Sequence, residues 1–350
     1  MSDRHIPTSP TRAIPVAPPI RRFTASSIIG LAVIGVGVVV LAVLPYLVPL
    51  GSTSNATKLL IYVVLATSWN LLAGFGGMVS IGQQAYIGLG AYSIVTFAGL
   101  LGLDQLLTIP IAAVVAALVS IPISYLVFRL VGGYFAVGTW VIAEVLRLVT
   151  VRVPAVGAGA GMSVPPMPLA APLRIATTYW AALVVAVVVV AAVVLIVRSR
   201  LGLALTAVRD EPIAAATSGV NVVTARRLVF VIGAAATGAA GAIVAISALG
   251  VEPSSIYGVQ WTAAMIFMVV IGGVGSIEGP IIGAVIYWAL EQFLSHYGQA
   301  YLIGLGVLAI VMVLFAPGGI WGLITGRRRV NLFPIGYRLD RRAVAKATGH

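Results

Sequence analysis

Few side chains in this sequence are suited to acid–base, metal or nucleophilic chemistry, and those few are widely separated. The 350 residues include no cysteine and only three histidines, which are scattered as His5, His296 and His350. A disulfide framework and a cysteine-ligated metal site are therefore excluded. Neither lysine, Lys58 or Lys346, follows a glycine, so the chain has no standard phosphate-binding loop for ATP. No motif predicts an enzyme, and no metal or cofactor is expected to bind this chain.

Two carboxylates fall inside apolar stretches, where a proton-coupled carrier would hold such groups. Glu144 lies three residues before Arg147, and on a helix this spacing places both side chains on one face. An ion pair within the helix is therefore the expected role of Glu144. Glu291 lies five residues before His296, near the end of its apolar stretch, and we expect it at the membrane interface. Neither carboxylate forms a pattern typical of a proton relay.

The elements that position these residues consist mainly of apolar side chains. Apolar residues make up 60% of the chain and charged residues 9%, whereas about a quarter are charged in an ordinary soluble domain. A soluble domain of this size could not bury so much apolar surface. The composition excludes a soluble enzyme, a disordered chain and a coiled coil, and it predicts an all-α integral membrane protein.

A helix needs about 20 apolar residues to cross the hydrocarbon core of a membrane. The sequence contains ten candidate stretches, and we predict a polytopic bundle of about ten (eight to ten) transmembrane helices, some of them broken. The stretches are Ser26–Leu50, Lys58–Ala73, Gln84–Leu103, Leu106–Phe128, Gly133–Thr150, Thr177–Val197, Leu228–Leu249, Val259–Gly275, Pro280–Leu294 and Ala300–Phe315.

The basic residues indicate how this bundle is oriented. The 21 Lys and Arg outnumber the 9 Asp and Glu, and most of them lie in the two tails and in segment 198–227. Because cytoplasmic loops carry an excess of Lys and Arg, we predict that this segment and both termini are cytoplasmic. We therefore divide the chain into a basic tail (1–25), a transmembrane domain (26–325) with an external loop (151–176), and a second basic tail (326–350). The positive charge marks orientation, and no nucleic-acid partner is expected.

A glycine-rich interruption separates the second and third apolar stretches. Gly74, Gly76 and Gly77 predict a broken helix, which is tolerated at membrane depth only beside protein or a water-filled cavity. Hydrogen bonding between helices and a place on a translocation path are equally good interpretations of the polar residues nearby. These path candidates are Asn70, Ser80, Gln83, Gln84 and Tyr86.

Segment 198–227 is much longer than a turn between two spans. Pro212 suits the first position of a helix, the acidic pair Asp210–Glu211 can cap it, and Gly219 fits the left-handed position after its end. These rules predict a helix of one and a half to two turns over Ile213–Ser218. It is either an interfacial connector or an element through which an ATPase moves the two flanking spans.

Motifs in order along the chain allow a more specific assignment. The segment from Arg200 to Asn221 resembles the coupling loop of the LivM-like permeases of LIV-type (branched-chain amino acid) ABC importers. The matching positions are Gly202, Ala204, Ala207, Arg209, Asp210, Ala214, Ala215, Gly219, Val220 and Asn221. Pro212 departs from the family pattern, in which many relatives continue the helix. Other similar blocks lie at 69–92, 129–147, 271–280 and 315–322, so that the resemblance covers residues 59–325.

The resemblance implies a permease subunit of the bacterial inner membrane that transports nothing alone. Its partners would be a second, LivH-like permease, two cytoplasmic ATPase subunits that use ATP, and an extracytoplasmic solute-binding protein. It would take up leucine, isoleucine and valine by alternating access. The residues implied in coupling to the ATPases are Gly202, Arg209, Asp210, Glu211, Ala215 and Gly219.

Three alternatives remain open from the sequence. The same machinery could carry urea or short amides, as relatives in this family do. The chain could be a secondary amino-acid transporter that works alone on an ion gradient. It could also be a structural or receptor-like membrane protein without transport.

Overall fold

The computed structural model describes residues 20–21, 25–294, 300–316, 318–325 and 338–339. The predicted basic tails, 1–25 and 326–350, lie almost wholly outside these residues. The chain divides into two compact units, one formed by Met1–Val33 with Asn331–His350 and the other by Ile34–Val330. In the described part of the first unit, Ile20–Arg21 pairs antiparallel with Arg338–Leu339.

Helices dominate the described residues, as the composition predicts. In chain order the α-helices are α1 (Ala25–Leu47), α2 (Leu50–Asn70), α3 (Gln84–Ser93), α4 (Gln105–Val127), α5 (Gly133–Arg152), α6 (Ala171–Arg198), α7 (Arg200–Asp210), α8 (Pro212–Thr217), α9 (Val222–Ala248), α10 (Pro253–Ile256), α11 (Gln260–Gly272), α12 (Glu278–Leu294), α13 (Ala300–Phe315) and α14 (Gly319–Thr325). The π-helices Leu71–Phe75 and Ile94–Leu100 continue α2 and α3, and Pro154–Val156 forms a 3-10 helix. The strands are β1 (Ile20–Arg21), β2 (Met162–Ser163), β3 (Gly250–Val251) and β4 (Arg338–Leu339).

The predicted class, a polytopic helical membrane protein, is confirmed, and each of the ten predicted stretches falls on a helix. Among the described residues, six helices are each long and apolar enough to cross a membrane. They are Leu50–Phe75, Gln105–Val127, Gly133–Arg152, Ala171–Arg198, Val222–Ala248 and Pro253–Gly272. The pair Ile303–Phe315 and Gly319–Thr325, bent by 42°, adds a seventh if it crosses as one broken span. The count of eight to ten, which includes shorter helices such as α12, stays a prediction, as does the cytoplasmic position of the termini.

Helices α2 and α9 form the centre of the second unit. Buried residues make up 83% of the apolar stretch of α2 and 78% of that of α9, against 33% for α4 and for α6. Helix α2 packs against α6, α9, α11 and α12, while α9 also packs against α3 and α4. Because other helices surround α2 and α9, little of their surface is left for lipid.

The crossing of α3 over α9 depends on glycine. A Cβ atom at Gly90 would overlap the carbonyl oxygen of Gly238, and one at Gly241 would overlap the carbonyl oxygen of Ile87. Small residues allow two membrane helices to approach until their backbones touch, which increases the dispersion contacts between them. Close packing is therefore what these particular glycines provide.

Segments predicted on the outer side of the membrane meet near the N-terminal end of α2. Lys58 Nζ lies 2.8 Å from Glu291 Oε1 of α12, and the hydroxyl of Tyr62 donates a hydrogen bond of 2.8 Å to Glu291 Oε2. In the predicted external loop, Met162 of β2 pairs with Val251 of β3. Glu291 thus has a cationic partner that the sequence did not predict, because the two residues are 233 positions apart.

Candidate coupling site and buried polar region

Segment 198–227, which is predicted to be cytoplasmic, contains two helices. The sequence predicted only one. The missed helix, α7, begins after Ser199, whose hydroxyl oxygen accepts a hydrogen bond of 3.1 Å from the backbone N–H of Leu201. Leu205 and Val208 of α7 are fully buried. A serine cap followed by apolar residues three to four positions apart is a helix signal, so the sequence did contain evidence for α7.

The predicted short helix is present as α8, one residue earlier than expected. Glu211 occupies its N-cap position with φ of −151°, but the predicted capping hydrogen bond from its side chain is absent. Gly219 has φ of +86°, which confirms the left-handed position predicted after the helix. Asn221 Oδ1 then accepts a hydrogen bond of 3.0 Å from Thr224 N and begins α9. Pro212 therefore divides the segment, and the break lies where the sequence departs from the family pattern.

The six residues implied in ATPase coupling differ in exposure. Gly202 and Ala215 are buried, and a Cβ atom at Gly202 would overlap the backbone carbonyl of Val197. They pack inside the chain in this conformation, and their role in coupling stays a prediction. Ile213, which the sequence did not single out, is 76% exposed on α8. From the exposed residues of this region we define four as the coupling surface: Asp210, Glu211, Ile213 and Gly219.

Arg209 connects segment 198–227 to the broken span. Its Nη1 donates a hydrogen bond of 2.8 Å to the carbonyl oxygen of Gly74, and its Nε donates one of 2.9 Å to Asp210 Oδ1. Gly74 belongs to the π-helix that ends at Phe75, and carbonyl groups at a helix end lack partners within the helix. A guanidinium satisfies such a carbonyl and interacts favourably with the helix dipole. Arg209 thus contacts the end of this span, and its role in coupling to an ATPase stays a prediction.

Asn70, a path candidate, connects the same helix end to the turn between α11 and α12. Its Nδ2 donates a hydrogen bond of 2.7 Å to the carbonyl oxygen of Ser276, and its Oδ1 accepts one of 2.9 Å from the N–H of Gly275. Gly275 has φ of +76°, and a Cβ atom there would lie 3.3 Å from Arg209 Nη1. We call the place where Asn70, Gly74, Arg209 and Gly275 meet the inner junction.

Ser80 and Gln83 lie buried in a hydrogen-bond network after the broken span. Trp69 Nε1 donates a hydrogen bond of 2.9 Å to the carbonyl oxygen of Ser80. Gln83 Nε2 donates one of 3.4 Å to Ser80 Oγ, while Gln83 Oε1 accepts one of 3.4 Å from the hydroxyl of Thr237 in α9. These bonds satisfy polar groups that would be costly in a membrane interior.

Gln84 and Tyr86 are also buried and contact other helices. The hydroxyl of Thr262 in α11 donates a hydrogen bond to Gln84 Oε1, and the Gln84 N–H donates one of 3.3 Å to Thr262 Oγ1. The Tyr86 ring packs edge-on against Phe230, with centroids 5.8 Å apart. No local pattern pointed to Thr262, since 178 positions separate it from Gln84. In this conformation all five path candidates hold helices together, and their place on a translocation path stays a prediction.

Comparisons with known proteins agree with this architecture. The family described as "Branched-chain amino acid transport system / permease component" matches residues 52–316. The high-affinity branched-chain amino acid transport system permease protein LivM of Salmonella typhimurium is 26% identical over 79% of this chain and 71% of its own length. LivM of Escherichia coli is 26% identical over 81% and 73%, and the permease protein BraD of Pseudomonas aeruginosa is 33% identical over 36% and 41%. No solved structure matches the chain.

The matched region extends from α2 into α13 and includes the coupling segment and the inner junction. The resemblance found in the sequence motifs is therefore confirmed. The protein is a transport permease, a multi-pass protein of the bacterial inner membrane. The chain belongs to the family of permease components of branched-chain amino acid transport systems.

Proposed function

We propose that this chain is the permease subunit of an ABC importer that takes up leucine, isoleucine and valine. Two ATPase subunits would bind its cytoplasmic side and supply the energy of ATP. A second, LivH-like permease would complete the membrane part, and a binding protein would deliver the substrate from outside. The names of the similar permeases support the substrate class.

The observation that carries this proposal is the coupling segment itself. Helices α7 and α8 are held between two long spans, α6 and α9, and the coupling surface faces away from the bundle. Insertion of Ile213 into a groove of an ATPase would bury an apolar side chain that is otherwise hydrated. The carboxylates of Asp210 and Glu211 beside it would select a partner with basic groups.

Movement of this segment would reach the membrane through the inner junction. Arg209 ties α7 to the end of α2, and Asn70 ties that end to the turn before α12. A push on α8 would therefore act on three spans together. Packed interfaces of this kind change between discrete arrangements, as alternating access requires.

The test is uptake of labelled leucine into proteoliposomes that contain this chain, its companion permease and the ATPases. We expect uptake that requires both ATP and the binding protein, and competition by isoleucine and valine. Competition by urea or acetamide without competition by isoleucine would overturn the substrate class. Uptake driven by an ion gradient in the absence of ATPases would show a secondary transporter instead.

A pair of variants tests the coupling surface. Ile213→Glu places a charge at the centre of the surface and should prevent co-purification of the ATPases. Leu169→Glu is the matched control, because Leu169 is an exposed apolar residue in the predicted external loop. Equal recovery of ATPase with the two variants would show that α8 is not the docking element.

A further inference from the structure

Helix α5 carries an ion pair on a face that the other described residues leave uncovered. Arg147 Nε donates a hydrogen bond of 2.9 Å to Glu144 Oε1, as the three-residue spacing predicts. The Glu144 side chain nevertheless remains 47% exposed and that of Arg147 28% exposed. Each charge is thus balanced by its neighbour, but neither is enclosed by the protein.

Glu144 lies about 12 Å and Arg147 about 8 Å before the end of the span at Arg152. Helix α5 has 20 residues and is therefore about 30 Å long, with Glu144 about 16 Å from its start at Gly133. This depth corresponds to the hydrocarbon core of a membrane. Charged groups at that depth are costly in lipid and are found facing a bundle interior or a water-filled cavity.

The other exposed spans show what a lipid-facing surface looks like in this molecule. The exposed positions of α6 include Val184, Val188 and Leu195, which are apolar side chains that lipid tails can solvate. Helix α5 is less enclosed than α6, since buried residues make up only 17% of its apolar stretch against 33% for α6. The least buried of the six spans is therefore also one that carries an exposed ion pair.

The exposed residues of α5 form a continuous stripe. They recur at intervals of three or four positions, so that they lie on one side of the helix. We call the central part of this stripe the α5 face: Val137, Trp140, Val141, Glu144, Val145 and Leu148. It combines an aromatic ring with apolar residues, and the half-buried Arg147 lies beside it; aromatic residues and arginine are enriched in protein–protein interfaces.

We propose that the α5 face is the surface on which this chain docks the second permease subunit. That partner presents polar groups at the depth of Glu144 and Arg147, and so replaces lipid where lipid would be unfavourable. The proposal rests on the proposed function, since it requires a membrane partner of the same transporter. It names the part of this chain that the partner covers, which neither the family nor the coupling segment indicates.

Photo-crosslinking in the purified, lipid-reconstituted transporter tests the contact directly. The probe is p-benzoylphenylalanine, placed at Val141 or at Val145 next to the ion pair, and at Val188 of α6 as the matched control. All three positions are exposed and apolar. We expect adducts with the tagged companion permease from positions 141 and 145, and at most about a tenth of that yield from position 188. Equal yields from α5 and α6, or adducts of the α5 probes with lipid alone, would overturn the proposal.

Exchanging the two charges of the ion pair distinguishes a role in docking the partner from a role in stabilising α5. The double variant Glu144→Arg with Arg147→Glu keeps an ion pair within the helix but reverses the charges that the partner meets. We expect unchanged thermal unfolding of the isolated chain and at least about a tenfold loss in recovery of the companion permease. Wild-type recovery with the exchanged pair would show that the ion pair stabilises α5 alone. Both readouts are independent of the transported substrate, so failure of the leucine assay would not be mistaken for failure of this contact.

Discussion

Arg209 donates a hydrogen bond of 2.8 Å to the carbonyl oxygen of Gly74, and this contact joins α7 to the interrupted end of the most buried of the six described spans. The resemblance to the permease family implied that Arg209 contacts an ATPase. In the structure its guanidinium interacts with its own chain, at Gly74 and at Asp210, while the contact with an ATPase stays a prediction. This difference changes what substitution of the residue should do.

Replacement of Arg209 by alanine should uncouple transport without dissociating the ATPases. The lost bonds contribute about 1–2 kcal/mol, because Arg209 is 36% exposed and solvent screens part of the interaction. We expect ATP-driven leucine uptake to fall roughly 5- to 30-fold. The matched control is Arg200→Ala, at the exposed start of the same helix. Loss of ATPase from the Arg209→Ala complex would instead indicate a direct contact between the subunits.

Replacement of Asn70 by aspartate should destabilise the fold. The Nδ2 donor that faces the carbonyl oxygen of Ser276 becomes a second acceptor, so a buried hydrogen bond turns into a repulsion. We expect a loss of about 1–3 kcal/mol of unfolding free energy, measured by thermal unfolding in detergent. Asn55→Asp, an exposed substitution in the same helix, is the control and should change little. Similar melting of the two variants would contradict the role of Asn70 in the inner junction.

Replacement of Gly90 by alanine should force α3 and α9 apart. Its new Cβ would meet the backbone of Gly238, which cannot rotate away as a side chain could. We expect a loss of about 1–3 kcal/mol in unfolding experiments. Gly51→Ala provides the comparison, because nothing lies within 4 Å of a Cβ at Gly51. That variant should be neutral or slightly more stable, as alanine favours helix more than glycine does.

Lys58 and Glu291 should show a small coupling energy in a double-mutant cycle. Because the Lys58 side chain is 43% exposed, we expect about 0.5–1 kcal/mol between Lys58→Ala and Glu291→Ala, decreasing as salt is added. Thermal unfolding of the four proteins measures it. A parallel cycle of Lys58→Ala with Glu252→Ala should be additive, since Glu252 pairs with Ser254 instead. Equal coupling in both cycles would exclude a specific ion pair.

Local spacing predicted several details of the fold correctly. The Glu144–Arg147 pair, the short helix after Pro212 and the left-handed Gly219 all depend on residues within a few positions of one another. The same local rules contain the evidence for α7, since its serine cap and its apolar spacing lie within residues 199–208, before the break at Pro212.

Contacts between residues far apart in the sequence could not be predicted from local spacing. Gln84 bonds with Thr262 and Gln83 bonds with Thr237, and each threonine lies on a different span from its glutamine. The sequence contains many threonines, and any of them could have been the hydrogen-bond partner. The exposure of Ile213 and the burial of Ala215 on one short helix likewise depend on which side of α8 packs against the bundle.

The sequence by itself determined the solvent of this protein, the positions of its apolar helices, the break at the glycines from Gly74 to Gly77, and the family. These properties depend on composition and on the spacing of residues a few positions apart. They can be predicted from the sequence because apolar burial and backbone geometry act on such short stretches. Only the tertiary structure decided that Arg209 binds Gly74, that Asn70 holds the turn at Gly275, and that the ion pair of α5 stays uncovered. Each of these depends on how helices far apart in sequence pack in space, and many packings are compatible with the same apolar pattern.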